Sequence, residues 1–499
     1  MNNSSTARIF GKNVATNTFG ALWQFILVLV GTRTVIDLIG TDAFGLLALV
    51  GGVSGYFVYI DIGIGDTIVK KISEAQNSEE KSRVASTLFA TSIFFGFLFS
   101  LLTLIFAWYG IDLLFTFPHA LMESLKNIFF IIAAGLIILY PLNVYNKGFV
   151  AQNRFDIYNM LRIFYQTIIL GALIITLKRW NSAEAAVAVI TVGGIVWRAH
   201  SMMLFLKYFP EIRVSLKLFD RKTMKDTMRF KSYSFTAQAA GQTINQCDVY
   251  VLGIMLTPAS VALYSVANVI AIKIMEVSGV LGAVLLPTLS GLYGEKRNNE
   301  IKNIFVSGTM HSLALLIPVA VFFFVYAEDM LRLWVGEDFA PAAPILQWLS
   351  VAWLLGAVST VPRLVMQAVD KPEITAKLAV GIATANIALD FIMVEAVGMI
   401  GVVYATLACQ AVGLLLLVYL AGRNLDAGLF SIFSGLLKTA IAGLIFVPVY
   451  FISSPSFLFP VKLLLHTTLF FTAYYFAVID AENRGSIRHV VSAMLSRFK

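Results

Sequence analysis

Residues 13–64 read NVATNTFGALWQFILVLVGTRTVIDLIGTDAFGLLALVGGVSGYFVYIDIGI. Two apolar stretches, 13–36 and 43–64, flank the turn Gly40-Thr41-Asp42. Each stretch is close to the roughly 20 residues that a helix needs to cross the hydrocarbon core of a bilayer, and a glycine beside Thr and Asp is a turn signal. The pair predicts a transmembrane helical hairpin. The first stretch is too long for a signal-peptide core and has no small-residue cleavage site, so it is expected to stay on the protein as its first helix.

The same alternation of apolar stretch and polar break continues along all 499 residues. Further spans are expected at 84–108, 125–146, 158–177, 183–206, 233–254, 260–288, 303–326, 343–367, 376–396, 400–421, 437–453 and 460–479. The composition agrees, at 58% hydrophobic and 13% charged residues. A soluble domain averages about 45–50% apolar and about 25% charged. The expected fold class is therefore all-α integral membrane, with about fourteen helices. No polar stretch is long enough for a separate soluble domain. Cys247 and Cys409 fall inside expected spans without metal-ligand spacing, which argues against a disulfide framework and against a metal site.

Orientation follows from the basic residues. With the amino terminus inside, the outer loops hold only Lys178, Arg179 and Arg332 out of 37 Lys and Arg. Positive charge concentrates on cytoplasmic loops, so both termini are expected in the cytoplasm. The most basic segment, 207–232, includes Lys207, Arg213, Lys217, Arg221, Lys222, Lys225, Arg229 and Lys231. It reads as a cytoplasmic linker near anionic headgroups, or as a site that recruits a cytoplasmic partner. The linker separates an amino-terminal six-helix lobe, 1–206, from a second six-helix lobe, 233–421. Residues 422–499 hold two additional helices and a tail. Residues 39–50, IGTDAFGLLALV, resemble residues 256–267, LTPASVALYSVA, as a short outer turn opening a helix. Two parallel lobes around a central cavity fit both this offset and the even helix number.

Polar groups inside spans are costly in hydrocarbon and mark candidate sites. The first span carries Asn13, Asn17, Gly20, Gln24 and Gly31 in one narrow arc. The seventh carries Gln238, Gln242, Asn245 and Asp248. These residues either line a cavity or bond neighbouring helices. The intramembrane cations are Arg33, Arg162, Arg198, Lys273 and Arg363. Those near span ends can instead snorkel to the interface, a reading that suits Arg162 and Arg363 best. Lys273 lies deepest and has Glu276 one turn on. Asp61, Asp248, Glu276 and Asp390 are candidates for taking up and releasing a proton or Na⁺. No Walker motif, HExxH or GxSxG is present, which argues against direct use of ATP and against hydrolase chemistry.

Residues 36–49, IDLIGTDAFGLLAL, and 59–69, YIDIGIGDTIV, resemble the amino-terminal signature of the polysaccharide flippases. These are the Wzx O-antigen transporters of the multidrug/oligosaccharidyl-lipid/polysaccharide superfamily. The matching features are Gly40, Phe44 and Gly45, then Asp61, Gly63 and Gly65, then Lys70 and Lys71. The resemblance implies a V-shaped pair of lobes in a bacterial inner membrane, with no catalytic residue and no cofactor. It also implies an undecaprenyl-pyrophosphate-linked oligosaccharide as substrate, moved from the cytoplasmic to the periplasmic leaflet. Membrane lipids, a coupling proton or Na⁺ and polysaccharide polymerase machinery would be the partners, and nucleic acid would not. Cavity cations would offset the diphosphate charge, with Lys273 first and Arg33, Arg198 and Arg363 beside it. Gln24, Asn17, Gln238, Gln242 and Asn245 would meet the sugars. A drug exporter of the same superfamily is an alternative. A polysaccharide polymerase or membrane glycosyltransferase is another, disfavoured by the short outer loops.

Overall fold

The computed structural model describes residues 3–225 and 246–428, together with 434–438 and residues 441, 468 and 472. Among these residues there is no strand. Among the described residues, ten helices are long and apolar enough to cross a membrane. A backbone in hydrocarbon has no water to bond, so each spanning segment satisfies its own N–H and C=O groups by coiling into a helix. The spans expected at 437–453 and 460–479 lie almost wholly outside the described residues, as does the first half of the span expected at 233–254.

The chain forms two compact units, Met1–Ser265 and Val266–Lys499. The first unit contains α1 (Asn3–Glu74), α2 (Ser78–Ile105), α3 (His119–Ala151), α4 (Phe155–Arg179), α5 (Ala183–Tyr208) and the described part of α6, Gln246–Met255. The helix α7 (Pro258–Ala271) begins in this unit and ends in the next. The two spans expected at 13–36 and 43–64 are the two arms of α1, joined at Gly40, whose backbone is non-helical at φ 81° and ψ 171°. Only glycine adopts this region without strain.

Small residues let these helices approach closely, as membrane interfaces require. Gly45 packs against the Pro258 carbonyl oxygen, so no side chain fits there. The turn of the α1 hairpin thus meets the turn that opens α7, the two turns whose sequences resemble each other. A Cβ on Gly96 of α2 would lie 3.0 Å from Tyr140 Cβ of α3. One on Gly148 of α3 would lie 2.5 Å from the Phe205 ring of α5.

The helix α2 starts on Asn77, whose side chain accepts from the Glu80 amide at 2.8 Å while Glu80 reaches back to the Gln76 amide at 2.9 Å. This reciprocal cap satisfies orphan donors of the first turn. Buried Ser82, Ser86 and Thr87 of α2 accept the backbone amides of Arg213, Ser215 and Asp220 at 2.9, 3.0 and 3.0 Å. The first part of the basic linker is therefore a strap fastened to α2. Asp220 closes the strap by accepting from both the hydroxyl and the amide of Thr223. These bonds hold its carboxyl below the usual carboxylate range.

The second unit contains α8 (Lys273–Gly294), α9 (Asn298–Val325), α10 (Ala327–Val335), α11 (Ala343–Val358), α12 (Thr360–Ala368), α13 (Pro372–Val397) and α14 (Ile400–Asn424). Its core includes Leu289, Ile301, Phe305, Val358, Val365 and Val418. The fully buried Trp353 donates its indole N–H to Asn268 Oδ1 at 2.8 Å, tying α11 to α7. Ser278 Oγ donates to the Ala357 carbonyl at 2.8 Å, tying α8 to α11. The α13–α14 hairpin turns at Gly398, which has φ 70°.

Two outcomes follow from these contacts. Gly40→Ala is expected to destabilise the protein by about 1–3 kcal/mol, read as a lower Tm in detergent. A Cβ at Gly40 meets nothing within 4 Å, so the loss reports backbone strain alone. Asp220→Ala is expected to speed tryptic cleavage after Arg221 and Lys222 several-fold at neutral pH, because local opening limits proteolysis. The depressed pKa makes the Asp220 contribution fully present above the ordinary carboxylate pKa and lost as pH falls through the lowered value.

Candidate functional site

In the second unit Asp390 is fully buried on α13. Asn386 lies one turn before it, and its amide nitrogen is 3.1 Å from Asp390 Oδ1 and 3.4 Å from Thr406 Oγ1 of α14. All three side chains are fully buried. The i, i+4 spacing puts the amide and the carboxylate on one helix face, and the Gly398 turn brings Thr406 opposite them. A carboxylate, an amide and a hydroxyl form a hard, oxygen-bearing set, suited to a proton or a small cation such as Na⁺ rather than to a soft metal. Reorienting the Asn386 amide presents its oxygen in place of its nitrogen.

In the first unit Asp248, on α6, is also fully buried. It accepts the Tyr264 hydroxyl of α7, and Cys247 Sγ lies 3.4 Å from its Oδ1. Tyr264 is itself fully buried, so this bond serves both groups.

The predicted cations take different positions. Lys273 bonds Glu276 Oε1 at 2.6 Å, with the lysine side chain 27% and the glutamate side chain 60% exposed. The sequence suggests one helix over 260–288 with Lys273 near its middle. The helix is instead interrupted at Ile272, and Lys273 opens α8. A cation in a first helical turn opposes the helix dipole, and Glu276 offsets that cost. Arg363 is exposed on α12, with Nη2 3.5 Å from Thr360 Oγ1. In the first unit Arg33 is exposed on α1, 3.8 Å from Asp37. Arg198 is half-buried on α5, its guanidinium over the Trp197 ring at 5.5 Å and Nη1 3.5 Å from the Gly194 carbonyl. Gln24 is exposed on α1. Asn17 and Asp61 lie in α1, outside the residues whose side chains are described, and Gln238, Gln242 and Asn245 lie outside the described residues altogether.

Sequence reasoning missed Asn386, Thr406 and Tyr264. The signal for the first was available, since an amide four residues before a carboxylate inside an apolar helix forms one polar face. Nothing in the local sequence points to Thr406 or Tyr264, which reach Asn386 and Asp248 from neighbouring helices.

These helices carry the sequence pattern of a known family. Residues 10–293, more than half of the chain, match the model described as "Polysaccharide biosynthesis protein". The chain belongs to that family. Within it, the chain is similar to the "Putative O-antigen transporter" of Shigella flexneri, 23% identical over 403 residues, covering 78% of this chain and 92% of that protein. It is also similar to the "Probable low-salt glycan biosynthesis flippase Agl15" of Haloferax volcanii, 24% identical over 234 residues and about half of each chain, at 47% and 48%. Among solved structures, "Lipid II flippase MurJ, inward closed conformation" shares its fold at a TM-score of 0.73 and 14% identity, covering 92% of this chain and 98% of that one. The expected all-α membrane transporter fold and the flippase resemblance are thereby met, and this member of the polysaccharide biosynthesis family is a multi-pass membrane protein.

Removing one partner of the Asn386–Asp390 bond leaves a buried carboxylate short of a donor. Asn386→Ala is expected to cost about 1.5–3 kcal/mol, whereas Asp390→Asn, which neutralises the buried charge, should preserve or raise stability. Thermal unfolding of the two single variants and the double variant checks this ordering, and a double variant no better than Asn386→Ala would contradict it.

Proposed function

We propose that this protein is a flippase that moves undecaprenyl-pyrophosphate-linked oligosaccharide, an O-antigen or similar repeat unit, from the cytoplasmic to the periplasmic leaflet of a bacterial inner membrane. The observation that carries this reading is the similarity to an O-antigen transporter across 92% of that protein's length. The physics agrees with it. A diphosphate is the hardest part of such a lipid to carry through hydrocarbon, and the intramembrane cations Lys273, Arg363, Arg198 and Arg33 supply opposite charge. The polyprenyl tail needs no such help, since it stays in lipid throughout.

Two six-helix lobes, 1–206 and 233–421, would rock about a central cavity in an alternating-access cycle. The linker 207–232 would join them, with 422–499 adding two helices and both termini in the cytoplasm. A proton or Na⁺ gradient would drive the cycle through Asp390, held with Asn386 and Thr406, and through Asp248. The protein would act as a transporter and not as an enzyme, drawing its substrate from the glycan assembly steps and passing it to a polymerase.

Deleting the gene tests the reading directly. In right-side-out vesicles of the deletion strain, a complete lipid-linked repeat unit should accumulate where an external glycosidase cannot reach it. A single unit that reaches the outer leaflet but never lengthens would instead identify a polymerase. In proteoliposomes, Asp390→Asn should abolish the dependence of transport on the ion gradient while leaving substrate binding intact.

A further inference from the structure

Arg162, like Arg363, has a sequence position that suits snorkelling, and its surroundings point elsewhere. It lies on α4, seven residues past the first residue, Phe155, and therefore roughly 10 Å along the helix from its cytoplasmic end. Its guanidinium lies against the backbone of α1. A Cβ on Gly20 would sit 2.5 Å from Arg162 Nη2 and 3.7 Å from Asn159 Oδ1. The Nε atom is buried without a hydrogen-bond partner. Among the described residues the guanidinium makes no hydrogen bond or ion pair, and its one polar contact is the Tyr158 ring at 5.8 Å. The same face of α4 carries Asn159, 2% exposed, and Gln166, whose Oε1 is buried without a described partner. One turn further out, Trp23 closes the α1–α4 seam by donating to Thr167 Oγ1 at 2.9 Å.

Among the described residues no acid meets that cation. The first arm of α1 has no Asp or Glu before Asp37. Asp156, the acid of α4, pairs with Arg154 at 3.0 Å. Arginine does not escape by losing its proton. A cation held inside a membrane span without a counter-charge costs stability unless an anion visits it. A snorkelling arginine turns its head group to the interface and leaves its stem in lipid. Here Nε is buried and the head group lies on a glycine of the neighbouring helix.

We propose that Arg162 is an anion contact on the translocation pathway, taking phosphate oxygens of the lipid-linked diphosphate through its two-pronged guanidinium. Gly20 provides the clearance that keeps the guanidinium in the seam. The inference rests on the flippase reading and adds a first-unit anion contact to it.

The test uses the full chain in nanodiscs, with undecaprenyl diphosphate as the probe and native mass spectrometry as the readout. Arg162→Gln should weaken diphosphate binding at least about tenfold, the loss expected when one side of a charge-assisted bond is removed. Arg162→Lys should restore part of it, and Gly20→Ala should weaken binding in the same direction by displacing the guanidinium. The Tm of Arg162→Gln should be unchanged or higher, because the side chain leaves no described partner behind. If the wild-type chain does not take the diphosphate, the flippase reading itself fails. If it does and Arg162→Gln binds equally well, only this inference is overturned. Equal losses of phosphatidylglycerol and diphosphate would also overturn it, by making Arg162 a contact for bulk headgroups, and a lower Tm with unchanged binding would do so by making it structural.

Discussion

A peptide group or an amide in hydrocarbon finds no water, and whatever it does not bond inside the protein it does not bond at all. The spanning backbone meets this condition by being helical. The non-helical exceptions are held where glycine tolerates them, at Gly40 with φ 81° and at Gly398 with φ 70°. The polar side chains meet it by reaching across to a neighbouring helix. Trp353 finds Asn268, Ser278 finds the Ala357 carbonyl, and Asp248 finds Tyr264. Without a hydrophobic drive to bring helices together, such bonds and close van der Waals packing are what define which helix sits beside which.

The same condition explains the linker. A loop between spans could be slack, yet the segment after α5 lends its amides to three buried hydroxyls of α2. Those hydroxyls need partners because they are buried, and the linker backbone needs them because it has left its helix. The bonds fix the path of a strongly basic segment along the end of the first unit. Leu216, Leu218 and Phe219 stay exposed on it among the lysines and arginines.

Buried ionisable groups then separate into two kinds. Asp390 accepts from the Asn386 amide, and Asp248 accepts from the Tyr264 hydroxyl. Arg162 lies in the α1–α4 seam against Gly20, with its Nε buried and without a hydrogen-bond partner among the described residues.

The sequence by itself determined the solvent of this protein. Span length, apolar composition and the scarcity of basic residues in the outer loops are local quantities, legible one segment at a time, and they led to an all-α membrane protein. The turn at Gly40 was legible for the same reason, since Gly-Thr-Asp between two apolar runs allows little else. The candidate charges were also legible, because an ionised residue inside an apolar run is conspicuous. What each charge faces was not. Lys273 looked deep in a single helix until the interruption at Ile272 made it the start of one, paired with Glu276. Arg162 looked interfacial until α1 brought Gly20 against it. Thr406 gave no signal at all and became part of the Asp390 cluster only when the Gly398 hairpin folded α14 back on α13. Only tertiary structure decided these roles, because the environment of a buried polar group belongs to the neighbouring helices and not to its own.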